Sequence, residues 1–339
     1  MGIITKPKTG KIEIVTLDKL DKKDLAEVIK MYINRWGDVL RGEFEDKYLS
    51  LPETDERKGA VIIALDELDK KNFKEAVGYS NGGNFTLTNA FMEEYAGLLT
   101  SNLEILSSAG LERRIESIIG REEALKSTSR MGTFPEGQKV ALVNGKPKGA
   151  INSLVVEREH GIKETWNSVT SSGYINDHIS PENGGNTLIC FAIYTAIEGG
   201  AEGVAKALIT AQKEMAIDMA LEGLLAYSRF TDYKQHMEKH GYVPPEKYIF
   251  KKYEKGRYVD HATGFHLSQG AYPVKVFKNA RPADENSCGF CIIMEYPLRG
   301  NLPTDLFSYI ACAFRFGPQG INHMLQLNRS YVEGRKQSF

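Results

Sequence analysis

Between Thr187 and Tyr242 the hydrophobic period of the chain changes twice within sixty residues, and few folds accommodate the result. Leu188 to Ile197 is a continuous apolar run. A glycine-rich turn follows, Gly199-Gly200-Ala201-Glu202-Gly203. Val204, Leu208, Ala211, Met215 and Met219 then recur at helical spacing, and a second apolar run covers Leu221 to Tyr227. Short apolar runs bounded by turn residues predict strands, and the stripe between them predicts a helix. The order is strand, glycine turn, helix, strand. Such a turn leaves backbone N–H groups bare at a helix N-terminus, where the helix dipole favours an anion. A pyrophosphate suits that place.

The rest of the chain sets limits. With 339 residues it can form one large domain or two small ones. A formal charge of −1 makes no electrostatic case for nucleic acid or an anionic membrane as partner. Four cysteines do not form a disulfide framework, which points to a reducing, cytoplasmic setting. The opening Met1 to Val15 lacks the apolar core of a signal peptide, and no apolar run is long enough to span a bilayer.

Taken in order, Lys11 to Leu17 alternates as a strand. Asp21 is placed to cap a helix whose stripe is Leu25, Val28, Ile29, Tyr32, Ile33 and Trp36. Residues 38–127 read as a mainly helical insertion, with a short strand at Val61 to Leu65, a loop at Asn81 to Asn84 and helical spacing from Phe91 to Ile119. Val140 to Val143 and Gly149 to Val156 flank Asn144-Gly145, a tight-hairpin dipeptide. Thr165 to Gly185 is a long polar loop carrying Trp166, Tyr174, Asp177 and His178, and long loops feeding a buried strand often serve function. After the central unit, Val274 to Phe277 and Phe290 to Tyr296 predict two more strands, and one helix is expected near Leu306 to Phe314. The sum is an α/β (α+β) chain with a mixed sheet and helices on its faces. We expect one domain over 1–298 carrying the insertion, and a C-terminal tail over 299–339 packed on it.

At this point the chain resembles the GCN5-related N-acetyltransferase (GNAT) superfamily. Its signature, Gln/Arg-x-x-Gly-x-Gly/Ala, aligns with Gly200-x-x-Gly203-x-Ala205, so the first position lacks the usual side chain while the backbone cradle is kept. The resemblance implies that Gly200, Gly203, Val204 and Ala205 hold the pyrophosphate of coenzyme A. It further implies that the strand over Ile193, Tyr194 and Thr195 runs beside the pantetheine arm and polarises the thioester carbonyl. Met237, in Met237-Glu238-Lys239-His240-Gly241-Tyr242, stands where many members place a tyrosine general acid. A thioether cannot donate that proton. A narrower resemblance covers Gly264 to Ala271, Ala280 to Asn286 and Gly289-Phe290. It is to nitrilase-associated acetyltransferases and to the GNAT-like loading and decarboxylase domains of polyketide synthases. It nominates Thr231, His266 and Arg281 as the catalytic set.

The chemistry of these residues is consistent with such roles. Imidazole titrates near pH ~6.5 and serves as acid or base. The guanidinium of Arg281 forks onto carboxylate or phosphate, or makes an exposed salt bridge. Trp166 is a candidate wall of the acyl pocket, and Tyr233 a candidate in the substrate pocket that could replace the missing acid; both also suit a core. Cys288-x-x-Cys291 has no second pair, and His236 and His240 lack the neighbouring glutamate of a metalloprotease, so no metal is expected. The expected function is acyl transfer from acetyl-CoA, or another acyl-CoA, to a small-molecule amine or an acyl carrier protein thiol. Two alternatives stay open: a malonyl-CoA decarboxylase that passes acetyl to a thiol, and an inactive coenzyme A-binding sensor or scaffold.

Overall fold

In the computed structural model, the described residues are 11–44, 108–196, 203–298 and 306–336. Seven strands form one sheet: β1 (Ile12–Thr16), β2 (Lys139–Val143), β3 (Lys146–Val156), β4 (Thr187–Thr195), β5 (Gly223–Arg229), β6 (Tyr272–Phe277) and β7 (Cys291–Tyr296). The helices are α1 (Lys22–Phe44), α2 (Ser108–Thr133), α3 (Arg158–Gly161), α4 (Trp166–Thr170), α5 (Val204–Asp218), α6 (Tyr233–His240), α7 (Pro245–Tyr248), α8 (His261–Ser268) and α9 (Leu306–Lys336). Two compact units result. One comprises Met1–Leu17 with Thr133–Phe339 and holds the sheet; the other is Asp18–Gly132.

The sheet order is β1-β2-β3-β4-β5-β7-β6. All neighbours run antiparallel except β4 and β5. That parallel pair needs a crossover, which α5 supplies. The β2–β3 hairpin closes through Asn144 and Gly145, both with positive φ (54° and 73°), as a two-residue turn of this kind requires. Leu188, Ile189, Leu224 and Leu225 are wholly buried, which explains why β4 and β5 read as unbroken apolar runs rather than alternating ones.

Helices cover both faces of the sheet. Successive strand residues point to opposite faces. Tyr296 meets the ammonium of Lys213, from α5, at 4.6 Å from its ring centre. Its neighbour Glu295 takes a two-pronged ion pair from Arg158 of α3, at 2.9 and 2.7 Å. α5 lies against β1 to β5 through Val204, Leu208, Ile209, Gln212, Met215 and Ala216.

In the second unit, Asp21 caps α1 by accepting the N–H of Asp24 at 2.8 Å. On α2, buried Lys126 lies 2.9 Å from buried Glu123. The strand expected at Val61 to Leu65, the loop at Asn81 to Asn84 and the helical spacing before Ser108 lie outside the described residues. Helix is found over the stretch read near Leu306 to Phe314, and α9 continues past it as a second helical segment. It reaches Lys336, with a break at Gly317 (φ 63°) ahead of Pro318, where the missing N–H interrupts the ladder. This helix packs on β6: Arg315 donates to the Val274 carbonyl at 2.6 Å, and His323 bonds the Ala271 carbonyl at 2.9 Å.

Candidate active site

The site begins where two strands part. β4 and β5 pair from Thr187↔Gly223 to Cys190↔Ala226 and no further, although β4 continues to Thr195 and β5 to Arg229. At that point β4 bulges: Asn152 pairs with Ala192 and Ser153 with Cys190, so Phe191 is the extra residue. A bulge bends and twists its strand. Beyond it β4 follows β3, β5 follows β7, and a wedge opens between them.

The wedge exposes backbone. Ala196 donates its N–H to Lys148 of the β3 side at 2.9 Å. Main-chain groups alternate in direction along an antiparallel pair. Tyr194 therefore also turns to β3, while the N–H groups of Ile193 and Thr195 face the wedge. Of the three expected there, two present donors and Tyr194 serves the ladder.

α5 starts beside this edge. Gly203 has φ 79°, a left-handed conformation that glycine adopts without strain, and Ala207 N–H makes the first turn's bond to its carbonyl at 2.9 Å. The N–H groups of Val204, Ala205 and Lys206 have no carbonyl one turn back inside the helix. Gly149 of β3 lets this end come close: a Cβ there would lie 2.6 Å from Val204 Cγ1 and 2.8 Å from the Tyr194 carbonyl. Gly200 lies outside the described residues. A shallow depression of about 410 Å³ continues from Gly203 along α5 past Lys206 and Thr210 to Glu214, beside Ile14.

Thr231 is brought to the N-terminal end of α8, the helix that bears His266. The Thr231 hydroxyl donates to Asp232 at 3.0 Å and accepts the Ala262 N–H at 3.4 Å. His266 is one turn further along α8. Asp260 organises this end: one carboxylate oxygen accepts from Thr263 N–H and hydroxyl at 2.9 and 3.0 Å, the other from Asp232 N–H at 3.1 Å. Burial raises the Asp260 carboxyl above its usual range, against those hydrogen bonds. His266 is buried and its Nδ1 lies 2.6 Å from the Tyr296 hydroxyl. Burial pulls its imidazole down to about 4, so the ring is neutral at physiological pH.

Arg281 belongs to a different group. Its guanidinium sits 4.1 Å over the Trp166 ring. The Trp166 indole donates to the Phe191 carbonyl at 3.1 Å, and its backbone N–H bonds the Ala280 carbonyl at 3.0 Å. Nearby Asp284 takes an ion pair from Arg229. Leu224, which pairs with Tyr296, and Arg229 are five residues apart on β5 and point to opposite faces. The His266–Tyr296 pair and the Arg229–Asp284 pair thus stand on opposite faces of the sheet.

Tyr233 is fully buried among Phe230, Tyr248 and Phe290, and its hydroxyl donates to the Val243 carbonyl at 2.6 Å. Its proton is committed there. His178, from the long loop, accepts the Val155 N–H at 3.1 Å and stacks on Phe134, so it pins the loop to β3. Cys288 and Cys291 are free thiols, and no group of three or more potential metal ligands occurs among the described residues. No helix there is long and apolar enough to cross a membrane. Sequence reasoning missed Tyr296, Asp260 and Asp284. Tyr296 closes a predicted strand and Asp284 falls inside a quoted motif, but only the fold supplies their partners.

No protein-family model matches the chain. The uncharacterized N-acetyltransferase YkwB of Bacillus subtilis (strain 168) is 31% identical over 169 residues, which is 50% of this chain and 71% of the relative. The probable hydrolase YhcX of the same organism is 24% identical over 55% of this chain, which spans only 35% of that protein. Among solved structures, the loading GNATL domain of CurA from Lyngbya majuscula is 22% identical with a TM-score of 0.42, covering 51% of this chain and 81% of that domain. With an N-acetyltransferase relative matched over most of its length and a sheet that parts between β4 and β5 beside the start of α5, the chain belongs to the GNAT superfamily of acyltransferases.

Proposed function

We propose that the chain transfers an acyl group, acetyl first among them, from coenzyme A to a small-molecule amine or a carrier-protein thiol. The observation that carries this reading is the wedge: pairing of β4 with β5 stops at Cys190↔Ala226. A pantetheine arm laid along β4 would find the Ile193 and Thr195 N–H groups, and its thioester oxygen would be polarised by one of them. The bare N–H groups of Val204, Ala205 and Lys206 would take the pyrophosphate. Trp166 and Arg281 close the wedge beside Phe191, where the acyl group would lie.

A second reading is favoured by one specific feature. A neutral, buried imidazole is a poor base toward an ammonium but a good hydrogen-bond donor to a developing oxyanion. His266 with Thr231 would then hold the enolate formed when a malonyl thioester loses its carboxylate. The C–C electron pair passes into the thioester carbonyl, carbon dioxide leaves, and the enolate carbon takes a proton from solvent to give acetyl-CoA.

The test is to incubate the protein separately with acetyl-CoA and malonyl-CoA, following free thiol, intact mass and carbon dioxide. Thiol release with acetyl-CoA on adding an amine, or an acetyl mass gain on an added carrier thiol, supports acyl transfer. Carbon dioxide from malonyl-CoA, lost in His266→Ala, supports the second reading. Binding without turnover of either would mark a coenzyme A sensor, and no binding would overturn the assignment of the wedge.

A further inference from the structure

We infer that Tyr296 is a positioning residue: its hydroxyl donates to His266 Nδ1 and so fixes the tautomer in which Nε2 carries the proton. This rests on the reading of His266 as a residue of the reaction. The two atoms are 2.6 Å apart, and both residues are buried, with 4% and 1% exposure. Such a bond can run either way, because phenol and neutral imidazole each donate and accept. Their chemistry sets the direction. A phenol is a far stronger acid than a neutral imidazole N–H, and an imidazole nitrogen is a stronger base than a phenol oxygen. The matched arrangement is O–H donating to N. Burial keeps both groups neutral, holding the proton on the phenol and leaving the ring with a single N–H.

A second contact strengthens the donor. The Lys213 ammonium lies 4.6 Å over the Tyr296 ring and is held there by the Gln269 carbonyl at 3.3 Å. Gln269 closes the C-terminal end of α8, the helix that bears His266. A cation on the ring face draws electron density from the phenol and sharpens its O–H as a donor. Two elements thus converge on the imidazole's Nδ1 side: Tyr296 from β7 and Lys213 from α5. His266 Nε2 makes no hydrogen bond among the described residues. The arrangement leaves one defined N–H donor for a substrate oxygen.

The experiment is nitrogen NMR of the full chain, labelled at histidine, at neutral pH, alongside thiol release from acetyl-CoA with an added amine and carbon dioxide release from malonyl-CoA. The expected spectrum shows His266 protonated at Nε2 with a bare Nδ1. Tyr296→Phe should give a mixture of tautomers and lower kcat roughly tenfold, the worth of one lost hydrogen bond, with KM changed less than about twofold. Lys213→Met, which keeps the stem and hydroxyl, should give a smaller loss of the same kind and serves if Tyr296→Phe does not fold. A ring protonated at Nδ1 in the parent protein overturns the inference. So does a Tyr296→Phe or Lys213→Met variant with unchanged spectrum and rate while His266→Ala is dead. If instead His266→Ala turns over like the parent, the underlying reading of His266 falls, whatever the spectrum shows.

Discussion

The Trp166 indole donates to the Phe191 carbonyl at the residue where β4 bulges out of register and leaves β5. A carbonyl freed by a bulge inside a protein must find a donor. Trp166 supplies it and in doing so props the wedge open. Trp166→Phe keeps most of the ring and removes the donor. The expected cost is about 1–3 kcal/mol, the penalty of a buried unsatisfied carbonyl. It should appear as a lower urea midpoint at unchanged slope, and a midpoint equal to the parent's would refute this role.

The approach of α5 to the sheet depends on Gly149. Its missing Cβ is the space filled by Val204, the first residue of the helix, and by the Tyr194 carbonyl. A backbone oxygen cannot step aside as a side chain can. Gly149→Ala should therefore push the start of α5 away from β4 and weaken coenzyme A binding roughly tenfold or more, with a stability loss of about 1–3 kcal/mol. Calorimetric titration with coenzyme A measures the first, and unaltered affinity would show that the N–H groups of α5 do not hold the cofactor.

Asp284 stands almost wholly buried against Arg229. It also caps the turn after it by accepting the Ser287 N–H at 3.3 Å. Burial raises its carboxyl and Arg229 pulls it back. Asp284→Ala should cost about 3–5 kcal/mol, because it removes one partner of a mostly buried ion pair. Arg229→Met combined with Asp284→Leu should cost less than Asp284→Ala alone. Thermal melts of the two variants against the parent decide it, and the reverse ranking would rule out the broken ion pair as the cause.

His266 predicts an acid limb in stability. Its folded value, about 4, lies below the unfolded one of ~6.5. Between these values the unfolded chain binds the extra proton, so stability falls as pH drops from 6.5 toward 4 and the contribution levels off below. The size is about 3 kcal/mol by that linkage. His178 and His323 are lowered by burial and act in the same direction, while Asp260, raised by burial, acts in the opposite one. The parent minus His266→Gln difference isolates the term. Melting temperature against pH should show a shallower acid limb in the variant, and parallel limbs would contradict a depressed imidazole.

Much of the architecture was local and therefore legible. The apolar runs at β4 and β5, the stripe of α5, the Asn144-Gly145 hairpin and the Asp21 cap each depend on neighbours within a turn or two. Backbone sterics and burial dictate such features wherever the chain goes. The C-terminal helix read near Leu306 to Phe314 is there, and Gly317-Pro318 breaks it as such a pair does; the second helical segment, on to Lys336, was not read.

The composition of the site was decided at long range. The sequence by itself determined which residue types were available: a glycine turn before a helix, Thr231, His266 and Arg281, and tryptophan in a polar loop. Only the tertiary structure set Thr231 against the start of the helix that bears His266, sent the Arg229–Asp284 pair to the other face, and turned Tyr233 into the core. Only it paired His266 with Tyr296, thirty residues away, and Trp166 with Phe191, twenty-five away. Side-chain direction follows strand parity and register, and register is a property of paired strands rather than of either one.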